Sequence, residues 1–224
     1  MRELTEAQAR GLQPGSDHYT AYVGPPSQYD FMGATQFALL FHLGLRARHK
    51  VLDFGCGSLR AGRLLIPYLD PGNYYGIEPN TWLVKEGIER QLGGLETLKQ
   101  PTFSSSDAFV ADVFGEEFDF IVAQSIFSHS GPTMTGLALR SFSKVLRRNG
   151  ICAVTFVHGE EDPAEGWLYP GVVSYRPPLI VQLAEAAGLI AAPIPWQHPR
   201  QTWWLMGHEL PTKEFRASLL GCLP

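Results

Sequence analysis

Cysteine is scarce in this chain. Cys56, Cys152 and Cys222 are an odd number at wide spacings, which excludes a disulfide framework or a paired zinc motif and predicts free thiols. Charge is thin as well, at 18% of the 224 residues. The net charge of -4 gives no general attraction to phosphate backbones, and the densest basic cluster is only Lys144, Arg147 and Arg148, so nucleic acid is not an expected partner. No apolar run approaches the ~20 residues a membrane span needs. The opening residues, Met1 to Gln8, lack the basic stretch and apolar core of a secretion signal, which predicts a cytoplasmic protein with no membrane partner. Repeats and low-complexity segments are missing too. What is present, 45% hydrophobic residues with 23 glycines and 17 prolines spread along the chain, describes a globular domain long enough to build a core without metal or disulfide support.

The pattern along the chain is an alternation. Residues 1–35 are rich in Gly, Pro and Tyr with little periodicity, the composition of a segment that covers something. A helix is predicted over Thr35 to Leu45, with Phe37, Leu40, Phe41 and Gly44 as its apolar stripe. Strands are predicted at Lys50 to Phe54, Tyr74 to Glu78, Pro101 to Ser104, Phe118 to Gln124 and Ile151 to Val157. Helices separate most of them, near Arg60 to Leu69, Thr81 to Gln91 and Thr133 to Arg148. Such βαβ units cross over right-handedly and make a mostly parallel sheet, so the fold class is α/β. After a helix near Pro178 to Ala187, two strand-like stretches, Leu189 to Pro195 and Gln201 to Gly207, are joined by five residues. That link suits antiparallel pairing and is far too short for a crossover.

The segment Val51-Leu-Asp-Phe-Gly-Cys-Gly-Ser-Leu-Arg-Ala-Gly places a glycine-rich turn between a strand and a helix, where backbone can approach a nucleotide-like ligand. The dinucleotide fingerprint needs a third glycine where Arg60 stands, so a nicotinamide cofactor is disfavoured. Asp53-x-Gly55-Cys56-Gly57 resembles the first motif of class I S-adenosylmethionine-dependent methyltransferases. Glu78-Pro79, 25 residues beyond Asp53, and Asp107-Ala108 are similar to the motifs that follow in that family. The resemblance covers roughly Gln36 to His208, including the terminal hairpin. It implies a Rossmann-like seven-stranded mixed sheet of order 3-2-1-4-5-7-6 flanked by helices, with an N-terminal lid over residues 1–35, the methyltransferase domain over 36–209 and a tail over 210–224. It implies S-adenosyl-L-methionine as cofactor. Asp53 would orient the ammonium group, Glu78 would accept from both ribose hydroxyls, and Asp107 would hold the adenine amino group. Gly55, Cys56, Gly57, Arg60, Pro79, Ala108, Gln124 and Ser125 complete the expected cofactor contacts, with Arg60 reaching the carboxylate.

Methyl transfer is an in-line displacement, and a hydroxyl acceptor must lose its proton, so a base is expected near the site. After the fourth strand the chain reads Ala123-Gln-Ser-Ile-Phe-Ser-His129, without the Asn/Asp-Pro-Pro-aromatic motif of relatives that methylate amines of DNA bases or protein amides. Oxygen is therefore the expected acceptor atom. His129, His158 and His198 each follow a strand at the ligand edge and are the candidate bases, since histidine titrates near neutral pH; His129 is preferred. His18 and Tyr19 in the N-terminal segment, with Trp167 and Trp196, are the candidate substrate contacts. His158-Gly-Glu-Glu-Asp162 could ligate a divalent cation, but an acidic run between a strand and a proline is ordinarily a solvated loop, and no metal is expected. The expected activity is O-methylation of a small molecule, a sugar or glycoside among the candidates. A small-molecule N-methyltransferase and a non-catalytic cofactor-binding module are the alternatives. A homodimer is the default assembly, because two-fold symmetry is so common.

Overall fold

The computed structural model describes residues 4, 6–161 and 163–222. Two short helices, α1 (Glu6–Arg10) and α2 (Tyr19–Tyr22), precede α3 (Tyr29–His42). The alternating part follows as β1 (Val51–Phe54), α4 (Gly62–Tyr68), β2 (Tyr74–Ile77), α5 (Thr81–Gly87), α6 (Leu95–Lys99), β3 (Thr102–Ser104), β4 (Phe118–Ala123), α7 (Pro132–Val145) and β5 (Leu146–Phe156). It ends with α8 (Pro177–Ala186), β6 (Ile190–Ile194), β7 (Thr202–Gly207) and α9 (Lys213–Ser218). The strands form one sheet in the order β3-β2-β1-β4-β5-β7-β6, the order expected from the sequence. The neighbours from β3 to β5 are parallel, while β7 runs antiparallel to both β5 and β6.

Both faces of the sheet are covered, as parallel strands require. One core gathers Leu52, Phe54, Ile121, Phe142, Phe156 and Trp204, and the other gathers Val51, Leu65, Tyr74, Val122, Trp203 and Leu205. Successive side chains of a strand point to opposite faces, so Trp203 and Trp204 enter different cores, and both are buried. The tryptophan pair is structural.

Three boundaries differ from the sequence reading. Helix α3 starts at Tyr29, six residues early, and its inward face is Tyr29, Met32, Gly33, Gln36, Leu40 and Leu43 instead of the stripe through Phe37 and Phe41. Phe41 is exposed and packs with Phe37 and Tyr68 on the outer side. Close backbone contact explains the rotation: a Cβ on Gly33 would lie 2.3 Å from the Arg60 carbonyl oxygen. Second, α7 ends at Val145, and β5 begins at once with a register irregularity between the Phe118–Leu146 and Phe120–Ile151 pairs. Arg147 there donates to the Asp119 carboxylate at 2.9 Å and 3.0 Å, turning the extra residues outward. Third, the tail folds into α9, capped by the Thr212 hydroxyl.

The contact between α3 and the loop before α4 leads to a prediction. Gly33→Ala places a methyl group against a backbone carbonyl that cannot swing aside, an overpacking expected to cost about 1–3 kcal/mol. Urea unfolding should show a lower midpoint at unchanged slope; an unaltered midpoint would mean that α3 is not held at Gly33.

Candidate cofactor and acceptor site

The C-terminal ends of the parallel strands open into a cavity of about 940 Å³, at the upper end of the volumes that hold cofactors and substrates. Its floor is the turn after β1. Gly55 and Gly57 have φ of +78° and +53°, values that favour glycine. A Cβ on Gly55 would fall 2.1 Å from Ile126 Cδ1, and one on Gly57 2.7 Å from Val23 Cγ1. Absence of side chains keeps this turn bare, so that backbone itself forms the cradle.

Two carboxylates stand beside it. Glu78, at the end of β2, accepts from the Gly57 amide at 3.1 Å and from the Asn80 amide and side chain at 2.8 Å each. It is buried, and burial raises its pKa. Asp53 in β1 is 3% exposed and accepts one side-chain bond, from the Tyr74 hydroxyl at 2.8 Å. Among the described residues it has no ion-pair partner. Burial pushes its pKa up to about 6, because a low-dielectric site penalises the charged form. A buried carboxylate with no ion-pair contact and only the Arg60 charge acting on it, facing a ligand cavity, is suited to a ligand that brings a cation.

Of the other residues expected to hold the cofactor, Cys56, Arg60, Pro79, Asp107, Gln124 and Ser125 line the cavity. Ala108 does not; it is exposed, with its amide turned to the Ser106 hydroxyl at 3.4 Å. Cys56 is buried and its thiol is pushed well up by burial, the opposite of an activated nucleophile. Arg60 donates to the Val23 carbonyl at 2.6 Å, tying the N-terminal segment to the glycine turn. Pro14, Tyr22, Val23, Gly24 and Pro25 of that segment line the cavity.

The three histidines separate. His129 lines the cavity, and its Nδ1 lies 2.6 Å from the Gly171 carbonyl oxygen. A carbonyl only accepts, so Nδ1 carries the proton and Nε2 keeps a lone pair. Burial lowers its pKa, leaving it neutral at pH 7. His158 and His198 are both outside the cavity lining. His158 Nε2 accepts from Trp204 Nε1 at 3.1 Å. His198 Nδ1 accepts the Arg200 and Gln201 amides at 3.1 Å and 2.9 Å, its Nε2 faces the Gln124 side chain at 3.2 Å, and burial pushes its pKa down to about 3. These two rings organise loops, which corrects their expected place at the acceptor. Asp162 of the acidic run after His158 lies outside the described residues.

Of the expected substrate contacts, only Trp167 lines the cavity. His18 accepts the Thr20 amide at 3.4 Å and caps α2. Tyr19 packs on Tyr29 and accepts from Gln91 at 3.3 Å. Trp196 is buried, donating to the Thr35 carbonyl and hydroxyl at 3.1 Å and 3.0 Å. In their place stand Tyr22, Phe109, Tyr169, Arg200 and Gln201, drawn from loops whose convergence no local pattern announces.

Residues 52–152 match the methyltransferase domain family. The magnesium protoporphyrin IX methyltransferase ChlM of Synechocystis PCC 6803, solved with bound S-adenosylmethionine, superposes with a TM-score of 0.62 at 16% identity, over 88% of this chain and 89% of that one. The chain carries the class I S-adenosylmethionine-dependent methyltransferase fold. DesVI of Streptomyces venezuelae superposes at 0.61 with 15% identity, over 84% of this chain and 95% of that one. An O-methyltransferase family protein of Burkholderia thailandensis does so at 0.60 with 12% identity, over 81% and 57%. No curated protein matches the sequence. S-adenosylmethionine is the cofactor of this methyltransferase fold, and the residues present are compatible with it: a bare glycine cradle, a buried carboxylate at Glu78 that could accept from a diol, and a buried carboxylate at Asp53 that could face an ammonium group.

Asp53 sets a pH dependence. Its folded pKa near 6 exceeds the ordinary 3.8, so the stability it lends is complete below about pH 4 and is lost as pH rises through about 6. At pH 8 the ligand-free Asp53→Asn variant should be more stable than the native protein by about 2–3 kcal/mol. Its cofactor affinity should be weak and flat with pH, whereas native affinity should fall about tenfold from about pH 7.5 to about pH 5. Isothermal titration and urea unfolding measure the two halves; a pH-independent native affinity would remove Asp53 from the site.

Proposed function

We propose that this protein transfers a methyl group from S-adenosylmethionine to a hydroxyl oxygen of a small ring-bearing molecule, a phenol or a sugar or glycoside. The observation that carries this reading is the state of His129, a neutral imidazole at the cavity with one nitrogen fixed on the Gly171 carbonyl. That arrangement suits a general base. The cofactor, when bound, supplies an electrophilic methyl group on a sulfonium. Asp53 and Arg60 would pair with its ammonium and carboxylate, Glu78 with its ribose hydroxyls and Asp107 with its adenine amino group. His129 Nε2 would accept the proton of the acceptor hydroxyl and release it to solvent. The residues 22–25 and the ring of Tyr169, whose hydroxyl donates to the Tyr22 carbonyl, would form the cover that keeps water from the reacting oxygen. The segment after β4, Gln124 to His129, has no Asn/Asp-Pro-Pro-aromatic motif, which supports oxygen over amine nitrogen. The Burkholderia relative, an O-methyltransferase family protein, agrees with that choice.

A base that must be neutral makes activity fall with acidity. Turnover measured by release of demethylated cofactor should decline as pH drops through the His129 pKa, and that inflection should lie below 6.5, since burial lowers it. His129→Gln should lose about 10²–10⁴-fold in kcat, with cofactor binding intact and the acid limb gone. Full activity in this variant on a phenol or sugar would remove His129 as the base, whereas native turnover of amines and of no hydroxyl would favour the amine-methylating reading, since an amine needs less help in losing its proton.

A further inference from the structure

The acceptor half of the cavity has two chemically distinct parts. One is a wall of aromatic rings in sequence: Phe109, Trp167, His129, Tyr169 and Tyr22, all lining the cavity. Consecutive centroids are 5.7, 5.7, 5.0 and 5.1 Å apart. Trp167 and Tyr169 lie at an interplanar angle of 20°, and Trp167 is 47% exposed, leaving aromatic surface unpaired at the mouth. Aromatic faces attract flat apolar rings and the C–H faces of sugars.

The other part is Arg200, on the loop between β6 and β7, whose charge is felt by both Arg60 and His198. The charged side chains lining the cavity are Asp53, Glu78, Asp107, Arg60 and Arg200. The first four have counterparts on the cofactor; Arg200 has none. Among the described residues it makes no ion pair, and its guanidinium donates only to the Gln28 side chain. Its backbone is fixed by the bond to His198, so the loop holds this cation at the cavity. No acid among the described residues pairs with it.

We propose that the methyl acceptor is a ring-bearing carboxylic acid, its ring stacked on the Trp167–Tyr169 wall and its carboxylate held by Arg200. This rests on the acceptor-site reading above and narrows it. A guanidinium pairs with a carboxylate through two parallel hydrogen bonds, which gives orientation as well as affinity. The ring is then anchored at one end, so that a chosen hydroxyl, and not the acid group, is presented to His129.

The test is titration of the protein saturated with demethylated cofactor, using acid and neutral members of two pairs: 4-hydroxybenzoate with 4-hydroxybenzamide, and glucuronate with methyl glucoside. The acid should bind at least tenfold more tightly in one pair, and which pair does so identifies an aromatic or a sugar acceptor. Arg200→Gln should abolish that preference while leaving affinity for the demethylated cofactor within about twofold. Trp167→Ala should weaken both members of the pair alike. No preference in either pair, or no binding of any of the four, overturns the proposal. So does a tenfold loss of cofactor affinity in Arg200→Gln, which would assign Arg200 to the cofactor carboxylate. Carboxylate binding without methyl transfer to any hydroxyl would sink the O-methylation reading and leave this one standing.

Discussion

The bond from the Gly57 amide to the Glu78 carboxylate, 3.1 Å long, ties the turn after β1 to the end of β2, and the site depends on it. The turn is bare because Ile126 and Val23 leave no room for a Cβ at Gly55 or Gly57. A bare turn needs some other group to fix its path. Glu78 does this from the neighbouring strand while accepting from Asn80 with its second oxygen, so the carboxylate is oriented before any ligand arrives. Preorganisation of this kind lowers the ordering cost of binding. Parallel pairing of β1 with β2, Asp53 opposite Gly76, brings the two acids to the same edge, and the Gly76 position has no side chain to intrude on Cys56.

The parts of this design that are legible in the sequence are those governed by local rules. Strand and helix periods give the alternation, the short link between β6 and β7 gives the antiparallel end, and the glycine turn with Asp53, Glu78 and Asp107 gives the ligand edge. The acceptor half is different in kind. Tyr22 at the end of α2 and Phe109, Tyr169 and Arg200 on three loops meet only through tertiary packing; Arg200 in particular looks like any turn residue. The histidines show the same limit. His129 and His198 both follow strands at the ligand edge, yet one ring faces the cavity and the other is filled by backbone amides of its own loop. Sequence position specifies the edge a residue emerges on, and only the surrounding hydrogen bonds specify what its ring can do. Helix α3 makes a third case, because its inward face is chosen by the fit of Gly33 against the Arg60 carbonyl and not by its most hydrophobic stripe.

Charge in the cavity is arranged asymmetrically. Three acids line the part nearest β1, β2 and β3, with the Arg60 charge acting on Asp53, whereas the aromatic wall carries no charge and Arg200 is the cavity's second guanidinium. A ligand carrying positive charge is drawn to one side and an anion to the other. Apolar walls strengthen both interactions by excluding water. The same low dielectric accounts for the direction of every shift here: Asp53 and Glu78 upward, His129 and His198 downward.

These features are unfavourable for the ligand-free fold, and their location is informative. Asp53 is buried without an ion-pair partner among the described residues, the Gln201 side-chain oxygen is buried without a hydrogen-bond partner among them, and Phe109 and Ser125 hold φ of +55° and +61°. Each backbone strain of this kind costs on the order of 1–3 kcal/mol, and each unpaired buried polar atom about as much. All four residues line this cavity. The sheet centre is closely packed, with Phe118, Ile121, Phe127, Phe142, Phe156, Trp203 and Trp204 fully or nearly fully buried, although Trp203 Nε1 there also lacks a partner among the described residues. Similar features occur outside the cavity, at Leu59 and Gln100 with φ of +62° and +50° and at Arg63, Glu96 and Trp203, but several gather where binding energy from a ligand can relieve the cost. Ser125 shows how the core supports such a residue: its left-handed backbone is held by the bond from its amide to the Thr155 hydroxyl at 2.8 Å, so that β5, a core strand, fixes the residue at which the chain turns from β4 into the acceptor site.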